Sequence, residues 1–598
     1  MHDKVVRTFQ VTSQKYREEW HGSWYNVAMR LTLPEIPEAE NTSLVRQLLE
    51  IIRTQQDRIQ QLEDEILRLK GLKTRPVIAP SPLERPPRPP REPGQKRPGS
   101  AKRSKTAQLV ITDEVVVPLA DVPPGSAFKG YEDFVVQDLE IRPRVTRYRR
   151  ERWRSPDGRN LVAPLPEGVR PESHFGATLI SFIIYQYHYQ HVTQPLLLEQ
   201  LDQLGIDISA GQLNGILTEK KDIFHDEKTE VLLAGLEVSS YVQVDDTGAR
   251  HQGHNGFCTH IGNELFAYFE STDSKSRQNF LEVLRGPYTD YTINDAAVAY
   301  WQRQELAQAV IERLTRGASW FADEAGWKAY LALHEVTSKR HVRIATEGAL
   351  LGSLIAHGVS PEMGVLSDGA GQFDVFVHAL CWLHVERPLG RLVPHNEKHR
   401  QAIERIRQRI WDLYTGLKAY QQAPSLTARD ALAKQFDELV ADRTDYPSID
   451  GVLKGMAADR AKLLLVLQRP EVPLHNNLSE GHIRDYVKKR KISGSTRSDS
   501  GRRARDTFAS LKKTCRRLGV NFWEYLQDRV RGLGKVPRLA DLIRQKVEEA
   551  AARRAPAAPP PDPDGGAGGL NAGSGVRCLV SALRLRAERL RGPYVRCF

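Results

Sequence analysis

Apolar residues recur at Val45, Leu48, Ile52, Ile59, Leu62, Ile66 and Leu69, in steps of three and four that pass through one polar position, Gln55. Val or Ile fills every a position of these heptads and Leu every d position except Gln55. The pattern predicts a parallel dimeric coiled coil over 43–72, with Gln55 fixing the register. An amphipathic helix packed on its own domain carries the same stripe. Against that reading, residues 73–105 hold ten Lys or Arg, two Glu and many prolines. Such a composition builds no core and predicts an extended basic linker over 73–106. From 107 to 165 the period becomes two, in LVITDEVVVPL, FVVQDLEI and VTRYRRERW, and a small β-rich domain is expected.

Helical periods return over 166–236. ESHFGATLISFIIYQYHYQH reads as a buried helix, followed by a helix ending at Gly205, a turn with Ser209 as N-cap, and a second helix. This is helix-turn-helix spacing, and equally that of an ordinary helical hairpin. Residues 237–530 mix both periods. SSYVQVDDTGAR, HNGFCTHIGN and ELFAYFEST predict three strands, SKSRQNFLEVLRG a helix, 295–355 mostly helix, GVLSDGAGQF a fourth strand, and Cys381 to Arg469 mostly helix. A helix begins near Glu480, and a basic helical tail runs through 531–554. Residues 555–598 are of low complexity and expected to be disordered. Residues 1–42 carry no assigned pattern, and Met29 opens a more ordinary stretch, which suggests a later start.

The 598 residues exceed what one core supports, so a multidomain α/β protein is expected. Net charge is +12 despite 74 acids, so the excess has to be local to matter; a basic surface points to a polyanion, nucleic acid above all. Five scattered cysteines without a C-x-x-C pair exclude a disulfide framework and a four-cysteine zinc site. With no signal-peptide core and no apolar run of about 18 residues, a cytoplasmic protein without membrane contact is expected.

Two predicted strands end in aspartate: YVQVDD in Asp245 and Asp246, VLSD in Asp368. In a period-two strand Asp245 and Asp246 point to opposite faces, so one of them can share a site with Asp368. A helix crossing that strand edge could bring Glu480 as a third acid. Three carboxylates suit hard divalent cations and phosphoryl transfer. Plainer readings stand beside this one: strand-end aspartates serve turns, and Asn477-x-x-Glu480 is a capping box.

VDDTGAR, SKSRQNFLEVL, LSDGAGQFDVFVHALCWLHVER and NNLSEGHIRDYVKKRKISGSTRS, in that order, resemble the transposases of the Insertion Sequence 66 family. The resemblance spans about 165 to 530. It implies an RNase H-like DDE catalytic domain with helical insertions over 237–530, and a helical insertion also follows from the 112 residues between Asp368 and Glu480. By resemblance Asp245, Asp368 and Glu480 are the catalytic and metal-binding acids, holding two Mg2+ ions with Mn2+ as a substitute; Asp246 stands where the family usually has glutamate. Cys381 and His384, a C-x-x-H pair, are expected to support the site by hydrogen bonding or packing, and His378, Trp382 and Arg387 are assigned to the same helix, with Trp382 in the core. Family members often carry cysteine pairs before the catalytic domain; 107–165 has no cysteine, and no zinc is expected.

From Glu480 to Arg517 thirteen Lys or Arg face four acids. Arg484, Lys488, Lys489, Arg490, Lys491, Arg502 and Arg503, with Arg505 beside them, are expected to hold DNA phosphates; a solvated basic helix is the plainer account. The expected function is a DNA transposase that multimerises through its coiled coil, binds element ends and target DNA in the nucleoid, and works with or without accessory proteins of the element. A catalytically inactive, domesticated DNA-binding relative is the alternative.

Overall fold

The computed structural model describes residues 109–166, 169 and 173–554, with positions 42, 45, 54, 55 and 58 before them. It divides into two units, Met1–Gln137 and Asp138–Phe598. The coiled coil of 43–72 lies outside the described residues except for Val45, Thr54, Gln55 and Arg58, each helical. The linker of 73–106 and the tail of 555–598 also lie outside them.

In the first unit, residues 109–137 form no helix or strand, and Val110, Val115, Val117 and Phe134 are exposed. In the second, Arg152–Arg154 pairs antiparallel with Asn160–Val162, and no other described residue before 166 is in a strand. The β-rich domain expected over 107–165 is thus corrected to one short hairpin. Alternation supplies an apolar face, but a sheet holds only when a second layer or further strands cover it; here Trp153 and Leu161 remain exposed.

Helix α1 (Ala177–Ile184) runs into a π turn, Tyr185–Tyr189. Helices α2 (Gln194–Gln203) and α3 (Ala210–Thr218) follow with the anticipated turn between them. Gly205 adopts φ +72° there, a conformation open to glycine at little cost. Ser209 caps α3 in a full capping box with Gln212. The long helix α4 (Asp222–Val238) then leads into the sheet.

The sheet has strands β1 (Tyr241–Gly248), β2 (Phe257–Gly262), β3 (Ala267–Thr272), β4 (Gly364–Ser367) and β5 (Val377–Leu380), in the order β3-β2-β1-β4-β5. The first three form an antiparallel meander, and β4 joins β1 in parallel, with Tyr241 opposite Gly364. Helix α5 (Arg277–Arg285), three further helices and the longer α6 (Lys339–Ala356) fill the crossover. After β5 come α7 (Trp382–Glu386), α8 (Glu397–Gln422), α9 (Leu426–Val440) and α10 (Pro447–Ala458). These bury an apolar cluster of their own, including Ile406, Leu413, Phe436 and Leu453. The long separation between Asp368 and Glu480 is therefore filled by a helical insertion with its own core. Trp382 belongs to that core, its indole N–H donating to the Leu463 carbonyl. His378 is a correction: it lies on β5, not on the helix with His384.

Helices α11 (Asn477–Ser493), α12 (Asp499–Leu518), α13 (Phe522–Arg531) and α14 (Leu539–Arg554) complete the unit. Helix α12 lies along the edge strand β3. Its side chains at i, i+4 and i+8 take the outward N–H groups of alternate strand residues: Asp506 from Ser271, Ser510 from Phe269 and Thr514 from Ala267. The sheet edge is thereby closed. Among the described residues no helix is long and apolar enough to cross a membrane.

Candidate functional site

Parallel pairing of β1 with β4 puts the ends of both strands on one edge of the sheet. Asp245 lies toward the end of β1, and Asp368 directly follows β4. Burial, and next the charge of Asp368, push the Asp245 carboxyl up to about 7, with Asp246 and Glu480 adding to the repulsion. The three acids from distant parts of the chain thus share one electrostatic neighbourhood. Alternation points Asp246 to the opposite face of β1, although the charge of Asp368 still reaches it. The Asp246 carboxylate accepts from Gln372 Nε2 at 2.6 Å; burial raises its pKa while Lys275 and this bond restrain the rise. Asp368 also serves its turn, accepting the Ala370 N–H at 3.0 Å, with Gly369 at φ +97°. The turn and site readings of Asp368 are compatible.

The capping-box reading of Glu480 is corrected. Asn477 is the first residue of α11, the cap position is Asn476, and the Glu480 N–H already donates to the Asn476 carbonyl. The Glu480 side chain turns to α7 and along its own helix. Its Oε2 accepts from Arg484 at 2.7 Å, while His384 Nε2 and Arg387 stand 3.6 and 3.7 Å from Oε1. Oε1 is buried and has no hydrogen-bond partner. Only 15% of this side chain is exposed, so the orphaned oxygen is costly unless something else fills its coordination.

Asn476 joins the three segments. It is fully buried; its N–H donates to Cys381 Sγ at 3.3 Å and its side-chain amide to the Val244 carbonyl, next to Asp245, at 2.7 Å. Burial raises the Cys381 thiol, which stays protonated as an acceptor. On the other side His260, the cross-strand partner of Asp245, bonds Ser479 Oγ at 2.6 Å, and His482 bonds His260 at 2.8 Å. Both residues flank Glu480 on α11. Burial pushes His482 down to about 3, so this chain is neutral. His384 is also lowered, by burial and then by Arg387. Cys381 and His384 stand where support was expected and serve different partners: the thiol fixes the helix start, while the imidazole faces Glu480.

The basic stretch divides by helix face. Lys488, Lys491 and Arg503 are exposed, as is Arg484. Arg490 is half-buried and reaches Thr247 Oγ1 at the end of β1, and Arg502 pairs with Asp273 and Asp499. Lys489 is a correction. Buried on the inner face with His482 and Tyr486, it donates to the Tyr187 carbonyl at 2.7 Å and lies over the Tyr187 ring. Burial, then Arg505 and Lys512, lower it to about 7. Arg505 is likewise buried and donates to the Gly494 carbonyl.

Among the described residues no three His, Cys, Asp or Glu side chains form a ready-made ligand set. The donors nevertheless fit a hard cation: three carboxylates, one penalised by uncompensated neighbours and one with an orphaned oxygen. Sequence reasoning missed Asn476, His260 and Gln372. Asn476 left a trace in the doubled asparagine before Glu480; the other two left none.

A family model described as "Transposase IS66 family" matches residues 366–504, a span containing Asp368, Cys381, His384 and Glu480. "Uncharacterized protein y4jO" of Sinorhizobium fredii (strain NBRC 101917 / NGR234) is 41% identical over 303 residues, 50% of this chain and 94% of its own length.

Proposed function

The chain belongs to the IS66 family of transposases, and on that footing we propose that it is a DDE-type DNA transposase with an RNase H-like catalytic domain. In this reading it binds the ends of its element, hydrolyses a phosphodiester to expose a 3′ hydroxyl, and directs that hydroxyl at a target phosphodiester. The observation that carries it is the meeting of Asp245, Asp368 and Glu480 from two strand ends and one helix. In the first step a water oxygen bonds to phosphorus and the bond to the 3′ oxygen breaks, leaving a 3′ hydroxyl and a 5′ phosphate. In the second the 3′ oxygen displaces a target 3′ oxygen from phosphorus.

Asp245, Asp368 and Glu480 would hold the Mg2+ ions, which when bound supply Lewis-acid activation of the attacking oxygen and charge relief at the leaving one. The chain's own residues prepare for this. The antiparallel and parallel neighbours of β1 fix the aspartates, Asn476 ties the start of the Glu480 helix to β1, and His384 stays neutral beside Glu480. Exposed Arg484, Lys488 and Lys491 on α11, with Arg503 on α12, offer cations to the DNA backbone.

The test uses duplexes carrying the DNA that borders the gene on each side. Glu480→Gln should lower Mg2+-dependent cleavage at least about 100-fold while retaining DNA binding. Undiminished cleavage by that variant rejects the role of Glu480. Wild-type binding without cleavage leaves the DNA-binding relative as the reading.

A further inference from the structure

Among the described residues neither Asp245 nor Asp368 has an ion pair, whereas Glu480 is held by two cations of the chain itself, Arg387 and Arg484. Arg484 lies one helical turn beyond Glu480, and its guanidinium bonds Oε2 at 2.7 Å. An i, i+4 pair on a helix is commonplace, but this one is unequal: the Arg484 side chain is 72% exposed and the Glu480 side chain 15%. The pairing also leaves Oε1 buried and unsatisfied, which a purely structural pair has no reason to do. Lys488 and Lys491 follow Arg484 at i+4 and i+7 and share its exposed face. A DNA backbone lying on that face meets all three. The planar fork of arginine grips phosphate as readily as carboxylate.

We propose that Arg484 is a latch that makes cation binding at the carboxylate site conditional on DNA. Without DNA its guanidinium occupies Glu480 Oε2 and opposes a divalent cation there. A backbone phosphate draws the guanidinium outward and frees Oε2 of Glu480, beside the Oε1 that already lacks a hydrogen-bond partner. Linkage makes the effect reciprocal, so divalent cation and DNA bind cooperatively. This rests on the three-carboxylate reading above, and the test separates the two.

Mn2+ binding to the full chain is measured by calorimetry or electron paramagnetic resonance, with and without a short duplex of unrelated sequence, since backbone contacts do not depend on sequence. For the wild type the duplex should tighten Mn2+ binding about three- to tenfold, the size expected for releasing one partly buried ion pair. R484Q should bind Mn2+ without DNA about three- to tenfold tighter than wild type, with little further gain from the duplex. R484K, which keeps a cation at Glu480, should retain most of the wild-type coupling. An R484Q protein that binds Mn2+ no tighter than wild type in the absence of DNA overturns the latch. D245N tells the two failures apart. If it abolishes Mn2+ binding while R484Q changes nothing, the latch alone fails; if it leaves binding intact, the carboxylate site fails and takes the latch with it.

Discussion

Glu227 and Glu480 are both withdrawn from solvent, and the protein treats them in opposite ways. Glu227, on α4, is fully buried, and each of its oxygens is satisfied. Tyr525 and Arg529 donate to Oε2, and Arg529 and the Leu539 N–H donate to Oε1, at 2.8 to 3.0 Å. It pins α13 and α14 to α4. Glu480 keeps an empty buried oxygen, and the aspartate across from it is penalised by its neighbours. A buried acid with all its donors in place is structural, whereas one left incomplete is waiting for something the chain does not supply.

The largest effect expected from this contrast is on folding. Glu227→Ala leaves the Arg529 Nε, Tyr525 and the Leu539 N–H without their acceptor, with Asp528 the remaining buried acid beside Arg529, and should cost about 3–5 kcal/mol. Glu480→Gln, through which no buried cation loses its counter-charge, should stay within about 0.5 kcal/mol of wild type. Denaturant titration of both variants checks the pair. Equal losses would erase the distinction.

A smaller effect separates the faces of α11. Lys489→Ala leaves the Tyr187 carbonyl without its donor and should cost about 1–3 kcal/mol. Lys488→Ala should leave stability unchanged while lowering the salt slope of DNA binding by about 1. Unfolding curves and a salt series of binding isotherms read the two outcomes.

The smallest is a pH effect. The Asp245 carboxyl titrates at about 7 in the folded chain, above its ordinary 3.8. Below the lower value both states are protonated and nothing is lost. As pH rises toward 7 the unfolded chain gives up its proton first, so the folded state loses stability, and the full penalty stands above 7. Asp245→Asn removes this term. With chelator present, the variant should exceed wild type in stability at pH 8 by on the order of 1 kcal/mol, after allowance for solvent screening, and match it near pH 4. A variant no more stable at pH 8 than at pH 4, relative to wild type, would count against crowding of the acids.

Period-two and helical patterns anticipated four of the five sheet strands, the capped turn at Ser209 and the helical insertion, because each depends on local spacing and burial of one face; the edge strand β5 was not among them. The same logic overreached at 107–165, where alternation is present but nothing in these residues supplies a covering layer. It also misread charge. In KKRK the helix turns Lys489 inward onto the face of His482 and Tyr486, a direction visible in the i, i+4, i+7 spacing of those residues and hidden by the basic run. No turn residue separates His378 from the helix beyond it, because strand and helix meet at Cys381. Strand parity allowed Asp245 or Asp246, and only the register beside Gln372 and Lys275 distinguishes them. The Asn476 bond to Val244 spans 232 residues, and no local pattern reports a bond of that kind.

The cover that α12 lays over β3 has a consequence for synthesis. The outward N–H of Ser271 meets its acceptor, Asp506, 235 residues later. At roughly 5–20 residues per second, a ribosome leaves that strand edge open for about 10–50 s. During that interval the nascent sheet can pair with any extended chain nearby, its own upstream segments or a neighbouring polysome's included. Slow codons or a stop placed between β3 and α12 would therefore yield aggregate rather than a smaller folded protein, and a chaperone that shields strand edges would act on this chain before its third acid has been made.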